Sequence, residues 1–202
     1  IKVPDVSRRY SGKKIFIRIN ADAISIALVP PKKISIQNCI EAMIVGISVD
    51  AQSPYALVKA RFASKKTNLP AIADDSGLCV ESLDGKPGVL SARFAGEKRS
   101  DEDNNDKLLN HLKEKKNRRA YYYCAIVFIR NFEDPQPIIT EGIWQGEILK
   151  TRKGNNGFGY DPIFMDYKTD LSAAELPTEL KNRISHRAQA LQKLKQKLKI
   201  LL

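Results

Sequence analysis

Histidine and cysteine are scarce in this chain of 202 residues, and each scarcity closes off a class of chemistry. His111 and His186 are the only two histidines, too few for a His-rich metal site, which argues against a zinc role. The three cysteines, Cys39, Cys79 and Cys124, are odd in number and widely spaced, with no C-x-x-C pair. They read as buried or idle thiols of a reducing cytosol rather than a disulfide framework. No uninterrupted apolar run approaches the roughly 18 residues of a membrane helix. The opening IKVPDVSRRYSGKK is polar and basic and lacks the apolar segment of a secretory leader. The chain opens on Ile1 rather than Met, so the expectation is that this is not its natural start. Also missing are a G-x-S-x-G elbow, a P-loop and a strand-linked G-x-G-x-x-G fingerprint.

The composition is that of an ordinary globular chain, 43% hydrophobic and 28% charged, long enough to bury a real core. A formal net charge of +11 implies affinity for anions, with nucleic acid and nucleotide phosphate as candidates beside a merely solvated Lys-rich surface. The lysines are dispersed rather than gathered in a stripe with interleaved aromatics, which weakens the nucleic-acid reading.

Segments 15–19 and 24–29 read as buried strands. Pro54 to Lys66 is helical in pattern, and Leu69 to Ala73 is a short apolar strand running into Asp74-Asp75-Ser76-Gly77. Leu78 to Leu83 alternates like a strand, and a turn follows at 84–88. Ser100, with Asp103 three residues on, marks the start of a helix running toward Lys116. Tyr121 to Ile129 is a strong strand, and Ile138 to Leu149 is one or two more. Lys153 to Gly157 is a flexible loop. From His186 a helix carries an apolar seam of Leu191, Leu194, Leu198 and Leu201, suited to core or subunit contact. Strands and helices mixed in this order indicate an α/β or α+β domain around a central sheet.

Three constellations stand out. Asp74 and Asp75 are either a surface turn or a site where a cation and a water network make two adjacent carboxylates tolerable. Magnesium suits the second reading, because it takes one or two carboxylates and fills its shell with water and phosphate oxygens. The loop from Gly154 to Pro162 flanks Phe158 with glycines, which suits close approach of a ligand and a flat face for a base, or a plain turn. Lys181, Ser185, His186 and Arg187 offer donors for phosphate or a base carbonyl, or one more basic helix face.

Taken together, the stretch at 56–97 with its ADDSGL core, NGFGYDPIF at 156–164, AAEL at 173–176 and ISHRAQAL at 184–191 resemble the inosine triphosphate pyrophosphatase family. The order and spacing agree over about residues 56 to 200. The resemblance implies a single domain over 1–202, with an elongated two-lobed α/β fold, a long central mixed sheet, flanking helices and a nucleotide cleft between the lobes. It implies a cytoplasmic homodimer that acts on purine nucleoside triphosphates, with no nucleic-acid or membrane partner. The implied reaction is magnesium-dependent cleavage of inosine or xanthosine triphosphates to the monophosphate and pyrophosphate. Carried over by position, Asp75 is the general base and magnesium ligand, with Asp74 as its metal-side partner, and Lys59 faces the phosphates. Ser76, Phe158, Gly159, Tyr160, Asp161, Lys181, His186 and Arg187 are the substrate contacts, with Phe158 stacking on the purine.

The first 55 residues depart from that pattern. The family's opening strand is followed by a hydroxyl residue, an Asn and a Lys that grip phosphate. Here Asn20 matches the Asn, the hydroxyl is missing and Ala23 stands at the Lys. Pro54 and Tyr55 replace a Glu-Asn pair, leaving Asp50 as the one nearby carboxylate. A foreign or corrupted reading frame before Ala56 is expected, and with it poor activity. The alternative is a diverged, catalytically impaired nucleotide-binding homologue.

Overall fold

A computed structural model describes residues 14–19, 24–27, 39–43, 54–96 and 100–201, the first three segments as backbone strands. Strands β1 (Lys14–Ile19), β2 (Ile24–Ala27) and β3 (Cys39–Met43) pair antiparallel in the order β2-β1-β3. The expectations for Asn20, Ala23 and Asp50 lie outside the described residues.

The site is built on a second sheet. Helix α1 (Pro54–Thr67) precedes β4 (Ala71–Val80), and β5 (Pro87–Gly88) turns back against the end of β4. Helix α2 (Asp101–His111) follows, then β6 (Arg119–Ile129), β7 (Ile138–Ile148) and β8 (Phe164–Asp166). Helices α3 (Thr178–Ile184) and α4 (His186–Leu201) close the chain. The sheet order is β5-β4-β6-β7-β8. The chain thus has the expected α/β class, a sheet with flanking helices. Every pairing in the described strands is antiparallel, where the resemblance implied a mixed sheet.

The long central pair dominates. Ten residues of β4 pair with β6 in continuous register, from Ala71 opposite Ile129 to Val80 opposite Ala120. Because side chains alternate across a strand, this register assigns each residue a face. On one face Ala56 and Ala60 of α1 pack against Val127 and Ile129. On the other, Ala190 and Leu194 of α4 pack against Cys124 and Ile126. Farther along that second face lies the largest core cluster, with Leu78, Tyr122, Trp144, Ile148 and Phe164 from the sheet and Leu108 and Leu112 beneath α2. Burying a Leu, Ile or Phe of this kind stabilises by roughly 1.5–3 kcal/mol each.

Three further expectations are corrected. Asp74 to Gly77 is the middle of a strand and not a turn, because β6 supplies cross-strand partners from Ile126 to Tyr123 for all four residues. The inward seam of α4 is Ala190, Leu194 and Leu198, while Leu191 is half exposed, because a helix of 3.6 residues per turn brings 190, 194 and 198 onto the sheet side. The helix expected to reach Lys116 ends at His111. Its start is as read: Ser100 Oγ accepts from the Asp103 N–H at 3.0 Å, and the Ser100 N–H donates to the Asp103 carboxylate at 2.8 Å. No helix among the described residues is long and apolar enough to cross a membrane.

Candidate active site

Strand alternation divides the acidic pair. Asp75 stands opposite Ala125 and shares its face with α1, whereas Asp74 stands opposite Ile126 and shares its face with α4. On the α1 side, Lys59 lies one residue before Ala60, which packs on the sheet. From there its ammonium donates to Asp75 Oδ1 at 2.9 Å and to the Asp74 carbonyl at 3.3 Å. Burial pushes the Asp75 carboxyl above the usual carboxylate range. The Lys59 hydrogen bond and charge offset part of that, and the neighbouring Asp74 charge adds to it. On the α4 side, Asp74 Oδ2 accepts from Arg187 Nε at 2.9 Å and from Ser76 Oγ at 3.1 Å. Burial alone would raise Asp74, but the Arg187 hydrogen bond and charge, with Ser76 and Lys59, hold it below the usual value.

The glycine loop is fixed from two directions. Asp161, 3% exposed, accepts at Oδ2 from the Phe158 backbone N–H at 2.8 Å and from the Lys181 ammonium. Gly157 sits at φ +83°, and a Cβ there would fall 2.0 Å from that carboxylate oxygen, so a side chain has neither the conformation nor the room. From α2, Asp101 accepts from the Gly159 N–H at 2.6 Å and Asn105 donates to its carbonyl at 2.9 Å. Phe158, so held, is 64% exposed. The Lys181 ammonium lies 5.1 Å and the Arg187 guanidinium 5.9 Å from its ring centre, so two cations border the face an aromatic base would use.

Ser185 ends α3 and opens α4. Its N–H donates to the Lys181 carbonyl at 3.0 Å, and its hydroxyl accepts from the Ala188 N–H at 3.3 Å. His186 and Arg187 therefore occupy the first turn of α4, on the positive end of the helix. His186 is 7% exposed, and its Nδ1 has no hydrogen-bond partner in the protein. Burial, reinforced by the Arg187 and Lys181 charges, lowers its pKa to about 3, so the imidazole is neutral at ordinary pH. Ser76, the glycine loop, Lys181, Ser185, His186 and Arg187 meet around a cavity of about 410 Å³ with Tyr122 in its wall. Asp74 and Asp75 lie beyond Ser76, outside that lining.

The carboxylates present suit a magnesium ion of limited protein ligation. No cluster of three or more His, Cys, Asp or Glu among the described residues is arranged to hold a metal, so nothing there forms an all-protein cage. Asp75 gives one hard oxygen ligand beside a lysine, which fits an ion that keeps water and takes phosphate oxygens. Asp74 is engaged by Arg187 and Ser76 on the opposite face, so the two carboxylates do not form a chelating pair.

The structure thus brings nearly all the expected residues to one region, but their tasks divide. Asp161 props the loop and pairs with Lys181, Gly159 is held by α2, and Tyr160, 3% exposed, donates its hydroxyl proton to the Ser91 carbonyl at 2.8 Å. Asp101, Asn105, Tyr122 and Gly142 were not singled out from the sequence. A Cβ on Gly142 would come 1.9 Å from the His186 carbonyl, so this glycine lets the start of α4 rest on β7. An isolated glycine within a strand pattern is the signal that points to such an approach.

The comparisons with known proteins fit this geometry. The model of the Ham1 family matches residues 32–197, and the chain belongs to that family. It is 58% identical over 143 residues to a dITP/XTP pyrophosphatase of Nitrosomonas europaea, covering 71% of this chain and 70% of the relative. To the dITP/XTP pyrophosphatase of Chromobacterium violaceum it is 56% identical over 146 residues, covering 72% and 74%. Among solved structures, a HAM1 protein from Coxiella burnetii superposes with a TM-score of 0.70 at 46% identity, covering 71% of this chain and 74% of that one.

Proposed function

We propose that this chain hydrolyses non-standard purine nucleoside triphosphates (those of inosine, deoxyinosine and xanthosine) to the monophosphate and pyrophosphate, with magnesium, and so removes them from the nucleotide pool. The observation that carries this reading is the joint position of two unlike groups at β4. A stacking face bordered by Lys181 and Arg187 lines a base-sized cavity, and the Lys59–Asp75 pair lies one residue along the strand from its Ser76 wall, on the other face of the sheet. The names of the curated relatives support the same substrate class.

Phe158 stacks on the purine. Arg187 and neutral His186 supply donors that suit a 6-oxo group. A 6-amino group opposite them leaves buried donors unpaired, which is costly and rejects adenine. On the phosphate side, the raised basicity of Asp75 prepares it to take a proton from water. The water oxygen attacks the α-phosphorus, the bond to the bridging oxygen breaks, and pyrophosphate leaves with its electron pair. Lys59 moves from Asp75 to the phosphate oxygens as charge develops there. Asp75, with Asp74 through water, would hold the magnesium ion, which neutralises phosphate charge and acidifies water when bound. The enzyme works as a cytoplasmic homodimer, without nucleic-acid or membrane partners.

Pyrophosphate release by the purified chain from inosine and adenosine triphosphates, with and without magnesium, tests the reading. Magnesium-dependent release from the inosine compound alone is the expected result. Binding of inosine monophosphate without any release would favour the second reading, an impaired nucleotide-binding homologue. Equal release from both triphosphates would contradict the base-site assignment.

A further inference from the structure

We infer that Tyr122 is a positioning residue for base selectivity, tying the two base-recognition segments to the central strand. It rests on the proposed purine reading of the same site.

Tyr122 sits on β6, on the α4 side, 8% exposed and in the wall of the cavity. Its ring stacks on the His186 imidazole at 4.7 Å between centres and 8° between planes. Its ring also packs in one core cluster with Tyr160 of the glycine loop, and both line the cavity. One side chain therefore touches both segments that line the base site, although they lie 26 residues apart in sequence, at 160 and 186. Tyr122 is itself braced. Phe164 meets its ring at 4.7 Å and 58°, and Trp144 lies at 6.0 Å. Trp144 in turn is anchored by its Nε1–H to Asp166 Oδ1 at 2.7 Å.

His186 needs such a support. Its Nδ1 has no protein hydrogen bond to set the ring plane, unlike most functional histidines, whose second nitrogen is oriented by a partner. The flat contact with Tyr122 does that work by packing instead. Trp144 also lies near-parallel to the imidazole, but farther off at 6.4 Å between centres, so without Tyr122 the ring loses its nearer stacking partner and the edge it offers the cavity is less closely defined. Tyr122 does not approach the Lys59–Asp75 pair, which lies on the opposite face. Its loss therefore acts on the base and not on the water.

The test measures the affinities of inosine and adenosine monophosphates by calorimetry, and kcat/KM for the two triphosphates, in wild type, Tyr122→Phe and Tyr122→Leu. Tyr122→Leu is expected to lower the inosine-over-adenosine preference about tenfold, through KM with kcat held. Tyr122→Phe, which keeps the stack, stays within about threefold of wild type. If the Leu variant does not fold, Tyr122→Met is used in its place, with the same loss expected. A folded Leu or Met variant with unchanged preference overturns the inference. So does a loss that falls equally on inosine and adenosine, the mark of a merely structural role. A wild-type chain that binds both monophosphates equally overturns the purine reading first, and this inference with it.

Discussion

The two faces of β4 are built differently. On the α4 face, where base recognition is assigned, the polar groups are locked together. Arg187 and Ser76 hold Asp74, Lys181 and the Phe158 N–H hold Asp161, and His186 lies flat on Tyr122. On the α1 face the Lys59–Asp75 ion pair stands in a partly buried setting, with the Tyr123 hydroxyl donating to Glu141 on the same face. The difference follows the demands of the two tasks. Discrimination between an oxo and an amino group needs donors that cannot relax, because a mobile donor would turn to suit either. Phosphate chemistry needs charge that can be transferred, and the Lys59–Asp75 ion pair is poised to exchange its partner for substrate.

Substitutions that strike one face should leave the other working. The largest effect is expected of Asp75→Asn, which removes the proposed base. Hydrolysis of inosine triphosphate should fall about a thousandfold in kcat, measured by pyrophosphate release. Next is Gly142→Ala, whose Cβ would meet the His186 carbonyl at 1.9 Å and force α4 away from the sheet. A loss of about 3 kcal/mol in denaturant unfolding is expected, with weakened binding of inosine monophosphate. Arg187→Ala should cut the preference for inosine over adenosine triphosphate by about fiftyfold in kcat/KM, and unchanged discrimination would remove Arg187 from the base site.

The smallest effect is one of pH. His186, held at about 3 by burial and the Arg187 and Lys181 charges, takes its proton more readily in the unfolded chain, where the ordinary value is 6.5. Its contribution to stability is therefore complete above pH 6.5 and is lost as the pH falls toward 3. Between pH 7 and pH 5 wild type should lose about 2 kcal/mol more than His186→Gln, read from denaturant midpoints. Equal losses in the two proteins would mean that His186 is not kept neutral by the fold.

Much of this was legible in the residues. The capping signal at Ser100 and Asp103, the helical pattern of α1 and the aromatic, β-branched run of β6 are local, and local signals survive folding. The candidate site residues could be picked out because their motifs cluster in sequence, and the structure brings most of them to one region. What could not be read is non-local. Asp74 and Asp75 look like one paired ligand set when the stretch is taken as a turn. Only the ten-residue pairing with β6 makes it a strand and sends the two carboxylates to opposite faces. Asp161 looks like a free acceptor until Lys181, twenty residues away, is seen to occupy it. Tyr122 reads as one more core aromatic, since nothing in its own segment announces that a histidine will lie on it.

The independence of the two faces is tested most directly by the Asp75→Asn variant bound to nucleotide. Its affinities for inosine and adenosine monophosphates, measured by calorimetry beside wild type, should keep the wild-type ratio although hydrolysis is lost. A ratio that collapses along with hydrolysis would show that the two faces form one coupled site, and would contradict the division drawn from the strand.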